Sequence, residues 1–89
     1  GKIIINTNRP PSAYKFLQPF TVGLIDARSI AENLGLGRTI NTAILGAYCR
    51  ISGKPPLEAL LASIQEMVPA KKEANLEAAR QAYQRLKTC

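Results

Sequence analysis

Eighty-nine residues leave room for one domain, and a chain of that length buries only about 60–65% of its unfolded surface, so it would be marginal alone. Apolar content of 46% excludes disorder over most of the chain, and no apolar run approaches the roughly 20 residues that span a bilayer. The net charge of +6, from 12 basic and 6 acidic residues, raises nucleic acid as a partner; but the basic residues are scattered and no aromatic interleaves with them, so an acidic surface or a phosphate-bearing ligand matches the charge better.

The first element is Lys2–Asn6, KIIIN. Its apolar residues do not alternate, which predicts a strand buried on both faces. The short apolar start lacks a cleavage site, so it does not read as a signal peptide. Asn6, Thr7 and Asn8 end the strand, and Arg9, Pro10 and Pro11 break the chain. Residues 12–19 form a connection with an apolar patch at Tyr14, Phe16 and Leu17. A second strand is predicted over Phe20–Ala27, carried by Val22, Leu24 and Ile25, with Gly23 marking a bulge or a close approach.

Helical spacing begins at Ala27 and continues through Ile30, Ala31 and Leu34. Asp26 reads as its cap, and Gly35 and Gly37 stop it. The next helix is predicted from Arg38 to Ser52. Its first turn is polar at Asn41 and Thr42, where a helix has unpaired N–H groups and a partial positive charge. Ala43, Gly46 and Ala47 then form a stripe with almost no side chain, which suits close approach to another backbone. Pro56 opens a third helix whose stripe is Leu57, Leu60, Leu61, Ile64 and Met67, ended by Pro69. A fourth helix is predicted from about Lys71 to Lys87, with Leu76, Ala79, Tyr83 and Leu86 on one face. Glu77 is placed to pair with Arg80 and Gln81 on the other.

Two strands and about four helices make an α/β chain whose sheet is too small to stand alone. Further strands must come from more of the same domain or from another chain. Chemistry-bearing residues are sparse. Histidine is absent, which removes the commonest general base, and Cys49 and Cys89 form no C-x-x-C pair. Cys49 lies in an apolar helix as a small core residue, and Cys89 is terminal. Cysteines so placed suit a reducing, cytoplasmic setting. No metal or iron–sulfur site is expected from this chain alone.

Five blocks carry a family resemblance: IIINT at 3–7, VGLIDARSIAENLG at 22–35, RTINTAILGAY at 38–48, PLEALLASI at 56–64 and KKEANLEAARQAY at 71–83. Their order and spacing resemble the C-terminal half of the gamma subunit of 2-oxoacid:ferredoxin oxidoreductases, the pyruvate type above all. The most specific block is Asn41–Ala47. The resemblance covers nearly the whole chain and about half of that family's gamma domain. The Gly-rich turn that follows the family's first strand is missing, and Ile44 stands where the pyruvate branch often has methionine.

The resemblance implies the C-terminal part of a Rossmann-like or flavodoxin-like parallel-sheet domain. It also implies an enzyme complex that converts a 2-oxoacid and coenzyme A to acyl-CoA and carbon dioxide, with electrons passing to ferredoxin. The implied partners are alpha, beta and delta subunits, and ferredoxin through the complex. Thiamine diphosphate and iron–sulfur clusters would lie on other subunits, and coenzyme A would dock near the gamma domain. The alternatives are an assembly module without a ligand and, further off, a small basic nucleic-acid binder.

Within the chain, Asn6 ends a buried strand, where open α/β sheets place ligands; a turn-forming asparagine would look the same. Arg38 and Asn41 flank a helix N-terminus and would meet a phosphate or a partner subunit, or serve only as surface charge and cap. Lys71 and Lys72 open the last helix beside Asn75. Their charge opposes the helix dipole, so a partner is expected nearby, an acidic group or a phosphate.

Overall fold

The computed structural model describes residues 2–17 and 20–88. Strand β1, Lys2–Asn6, pairs in parallel with β2, Thr21–Ile25, in the register Ile3↔Val22, Ile4↔Gly23 and Ile5↔Leu24. Between them a 3₁₀ segment covers Pro11–Leu17. Helices α1 (Ala27–Asn33), α2 (Asn41–Ser52), α3 (Leu57–Met67) and α4 (Lys72–Arg85) follow. The sheet order is β1-β2-β3, where β3 is Lys87–Thr88 and lies antiparallel to β2.

Helix α1 ends where its sequence says. Its last carbonyls are met by turn N–H groups, and Gly35 and Gly37 take φ of 74° and 62°, which a Cβ would resist. Helix α2 starts three residues later than its pattern suggested. Ile40 is its N-cap residue, which leaves Arg38 in the preceding turn. Gly53 closes it in the left-handed conformation.

The main contact of the fold is between α2 and α4. The small stripe of α2 carries it. A Cβ at Gly46 would collide with the Ala79 backbone, lying 2.8 Å from its Cα and carbonyl carbon. Facing it, Ala78, Ala79 and Ala82 of α4 are fully buried. One core joins Ile25, Ile30, Ala43, Ala47 and Ala82, and a second joins Cys49, Leu60, Ile64 and Leu76. Burial pushes the Cys49 thiol above its usual pKa, as expected of a packed cysteine. Cys89 lies outside the described residues. Gly23 is a close approach rather than a bulge: a Cβ there would meet Ile51 and Leu86.

Three sequence expectations need correction. Strand β2 is buried at Val22, Leu24 and Ile25, but Ile3, Ile4 and Ile5 of β1 are only half-buried. Among the described residues the main contacts of β1 are with β2 and α2, so its isoleucines are packed from few directions. Met67 is 79% exposed, because it lies in the last turn of α3, past the buried Leu60 and Ile64. The last helix stops at Arg85, not Lys87. Leu86 turns extended and packs against the first core, and the chain then adds the third strand.

Candidate functional site

Strands β1 and β2 run in parallel, so their carboxyl ends meet at one edge of the sheet. Asn6 ends β1 there, and its Oδ1 accepts from the Ala27 N–H at 3.0 Å. Asp26 accepts from the Ser29 N–H at 3.1 Å and from the Ser29 hydroxyl at 2.7 Å. Orphan donors at the start of α1 are therefore held from two strands at once. The next residue, Thr7, donates its N–H to the Ile25 carbonyl at 2.9 Å. Its hydroxyl oxygen accepts from the Arg9 N–H at 3.1 Å and the Tyr14 hydroxyl at 2.8 Å. This strand end is a fixed polar platform.

A cleft of about 310 Å³ opens beside it, lined by Asn6, Arg28, Arg38 and Ile40. It brings together Asn6 and Arg38, two of the residues singled out in the sequence, and adds Arg28. The Arg28 Nε donates to Glu32 at 3.2 Å in an exposed i,i+4 pair of the kind that contributes little. Arg38 has no ion-pair partner among the described residues.

Asn41 and Lys71 meet in a different cleft, of about 420 Å³, between the starts of α2 and α4. Lys71 has a φ of 53° and extends its ammonium to the Gly35 carbonyl at 2.7 Å. That contact is to a backbone carbonyl of this chain, a neutral partner in place of the acidic group or phosphate expected from the sequence. Beneath it, the buried Thr42 hydroxyl donates to Asn75 Oδ1 at 2.8 Å, and Asn75 Nδ2 donates to the Lys71 carbonyl at 3.0 Å. The polar first turn of α2 is thus half structural: Thr42 locks α2 to α4, while Asn41 stays exposed. Lys72 is exposed and lines none of these clefts.

Sequence reasoning passed over Arg9, Arg85 and Lys87. They line a third cleft, of about 290 Å³, on the same carboxyl edge of the sheet. No local pattern announces them, because two come from the far end of the chain and are gathered by α4 returning to the sheet.

Residues 1–85 match the family model described as pyruvate ferredoxin/flavodoxin oxidoreductase. The chain belongs to this family. Over 71% of its length it is 43% identical to a pyruvate synthase subunit PorC from Methanothermobacter marburgensis. It is 36% identical, over 96% of its length, to the pyruvate/ketoisovalerate oxidoreductases common subunit gamma of Pyrococcus abyssi. Among solved structures, the pyruvate oxidoreductase subunit PORC of Thermotoga maritima superposes with a TM-score of 0.84 at 30% identity, covering 99% of this chain. The mixed α/β architecture with its parallel strand pair is therefore a family trait, and the resemblance to gamma-type subunits holds. This oxidoreductase-family chain spans 36% and 48% of those two curated relatives and 52% of the solved one. Among its described residues, no three His, Cys, Asp or Glu side chains converge to hold a metal ion. No helix of the described residues is long and apolar enough to cross a membrane.

Proposed function

We propose that this chain is part of the gamma portion of a pyruvate-type 2-oxoacid:ferredoxin oxidoreductase, where it shapes the region that docks coenzyme A. The complex would turn a 2-oxoacid and coenzyme A into acyl-CoA, carbon dioxide and reduced ferredoxin, working in the cytoplasm with alpha-, beta- and delta-type subunits. Thiamine diphosphate and iron–sulfur clusters, held elsewhere in the complex, would supply the carbanion and electron chemistry. The observation that carries the docking reading is the cleft of Asn6, Arg28 and Arg38 at the carboxyl ends of the parallel strands. Open α/β sheets take ligands at that edge, and a guanidinium without an ion-pair partner suits a phosphate.

In this reading Arg38 holds a coenzyme phosphate by charge-assisted hydrogen bonds. Arg28 contributes less, because Glu32 shares its charge. Asn6 fixes the floor of the cleft through its bond to Ala27. Asn41 and Lys71 offer a second cleft, with Lys72 exposed next to it in the chain, and the Lys71 bond to Gly35 leaves it the smaller share of ligand binding. In the assembled complex, Arg38→Ala should raise the apparent KM for coenzyme A about tenfold, the loss of roughly 1.4 kcal/mol. Lys71→Ala with Lys72→Ala should raise it less. Neither change should alter the first turnover of oxoacid without coenzyme A, followed as single-turnover cluster reduction.

The assembly reading also has an observation behind it, since among the described residues β1 pairs along one edge only and leaves the other open to further protein. If both assays fall together in the Arg38 variant, assembly is the role. If neither moves, these cations are a solvated surface and the coenzyme docks elsewhere.

A further inference from the structure

We propose that the cleft between the Thr7–Arg9 loop and the end of α4 is an anion site, built for a phosphate or pyrophosphate group. This goes beyond the coenzyme A reading: no residue that lines it also lines the Arg38 cleft. Arg9 comes from the loop after β1, Arg85 is the last residue of α4, and Lys87 lies in β3. Folding places all three around one cavity of about 290 Å³.

Among the described residues none of these three cations has an ion-pair partner. Asp26 is the single carboxylate lining the cavity, and both its oxygens accept hydrogen bonds from Ser29. The cavity is therefore net positive, with its carboxylate already engaged by a neighbour. Helix polarity accounts for Arg85, which sits where a helix carries partial negative charge. It does not account for Arg9 and Lys87, which the chain brings beside Arg85 against their mutual repulsion.

The shape narrows the ligand. Leu24, Ile25 and Ile30 floor the cavity, and apolar walls beneath a cationic rim focus the field on a small anion. Among the described residues no aromatic side chain lines it, so it offers no stacking platform for a nucleic-acid base. Its rim is preset on one side, because the Thr7 hydroxyl fixes the Arg9 N–H. A concave, polar-rimmed cavity of this size accepts a phosphate group better than it accepts the flat face of an acidic protein.

The test is chemical footprinting on the assembled complex. Lysines are acetylated and arginines treated with phenylglyoxal, with sodium pyrophosphate or with sodium chloride at equal ionic strength, and each site is read by peptide mass spectrometry. Pyrophosphate at about ten times its dissociation constant should slow modification of Lys87 and Arg85 about tenfold and leave the exposed Lys15 and Lys54 unchanged. A second variant, Arg9→Gln with Arg85→Gln, should remove the protection of Lys87. ADP as a second probe separates the sources: protection by both assigns a ligand-borne phosphate, and protection by pyrophosphate alone assigns the free anion.

Equal protection at every lysine overturns the proposal. So does protection that survives in the double variant, or protection by a polyglutamate peptide with none by pyrophosphate, which would mark an acidic protein surface. Failure of the coenzyme A reading looks different: an unchanged KM in Arg38→Ala leaves the pyrophosphate footprint at Lys87 standing.

Discussion

At Gly46 a single hydrogen sets how closely α2 and α4 lie. A Cβ there would run into the backbone of Ala79, which has no rotamer to move aside. In an exposed helix, Gly→Ala gains about 1 kcal/mol from propensity. Here Gly46→Ala should instead cost about 1–3 kcal/mol, and Gly46→Leu more, read as a fall in denaturation midpoint. A stabilised Gly46→Ala variant would show that the two helices are not locked at this contact. The small stripe itself was legible from Ala43, Gly46 and Ala47; its partner was not, since nothing local says which helix will fill it. Thr42 shows the same limit. Its place in a polar first turn gave no sign of a partner inside the fold, yet its hydroxyl is buried against Asn75. Thr42→Val keeps the shape and leaves the Asn75 oxygen without that donor, so it should cost about 1–3 kcal/mol in the same melt.

Among the elements, α1, α2 and α3 were readable because each carries its own stop signal and apolar spacing, whereas α4 has no such signal and stops short of its expected end. Asp26 caps α1, Gly35 and Gly53 turn the chain, and Pro56 precedes α3. Strand β3 could not be read. Lys87 and Thr88 have no apolar pattern and become a strand only because β2 offers them its second edge. The start of α1 depends on a residue from another element, Asn6, whose oxygen meets the Ala27 N–H. Asn6→Ala should therefore cost about 1 kcal/mol, the usual loss for a removed cap. Arg38→Ala, which breaks no bond within the described residues, should leave the midpoint unchanged. Measured side by side, the pair separates the part of the Arg38 cleft that holds the fold from the part free to hold a ligand. Equal losses of stability in both variants would contradict that division.

For the molecule as a whole, folding does to charge what it does to the apolar residues: it gathers groups that the sequence scatters. Arg28 and Arg38 line one cleft, and Arg9, Arg85 and Lys87 line another. The apolar surface is less complete. β1 has a partner on one edge only among the described residues, and Ile3, Ile4 and Ile5 remain half-buried. Leu45 and Tyr48 of α2 are 46% and 51% exposed. A groove of about 450 Å³ is lined by Lys2 and Ile4 of β1 and by Tyr48, Ile51 and Ser52 of α2. An open parallel edge next to uncovered apolar side chains is a template for pairing with more protein. Expressed alone, these 89 residues should accordingly associate as concentration rises and melt broadly. Size-exclusion chromatography with light scattering across a dilution series checks the first expectation, and thermal unfolding followed by circular dichroism checks the second. Tyr48→Lys places a charge on the uncovered face without touching the buried stripe of α2, so it should weaken the association while leaving the circular dichroism spectrum as it was. A monomer at every concentration, with one sharp transition at high temperature, would mean that a buried β2, a half-buried β1 and four helices suffice, and that this face needs no cover.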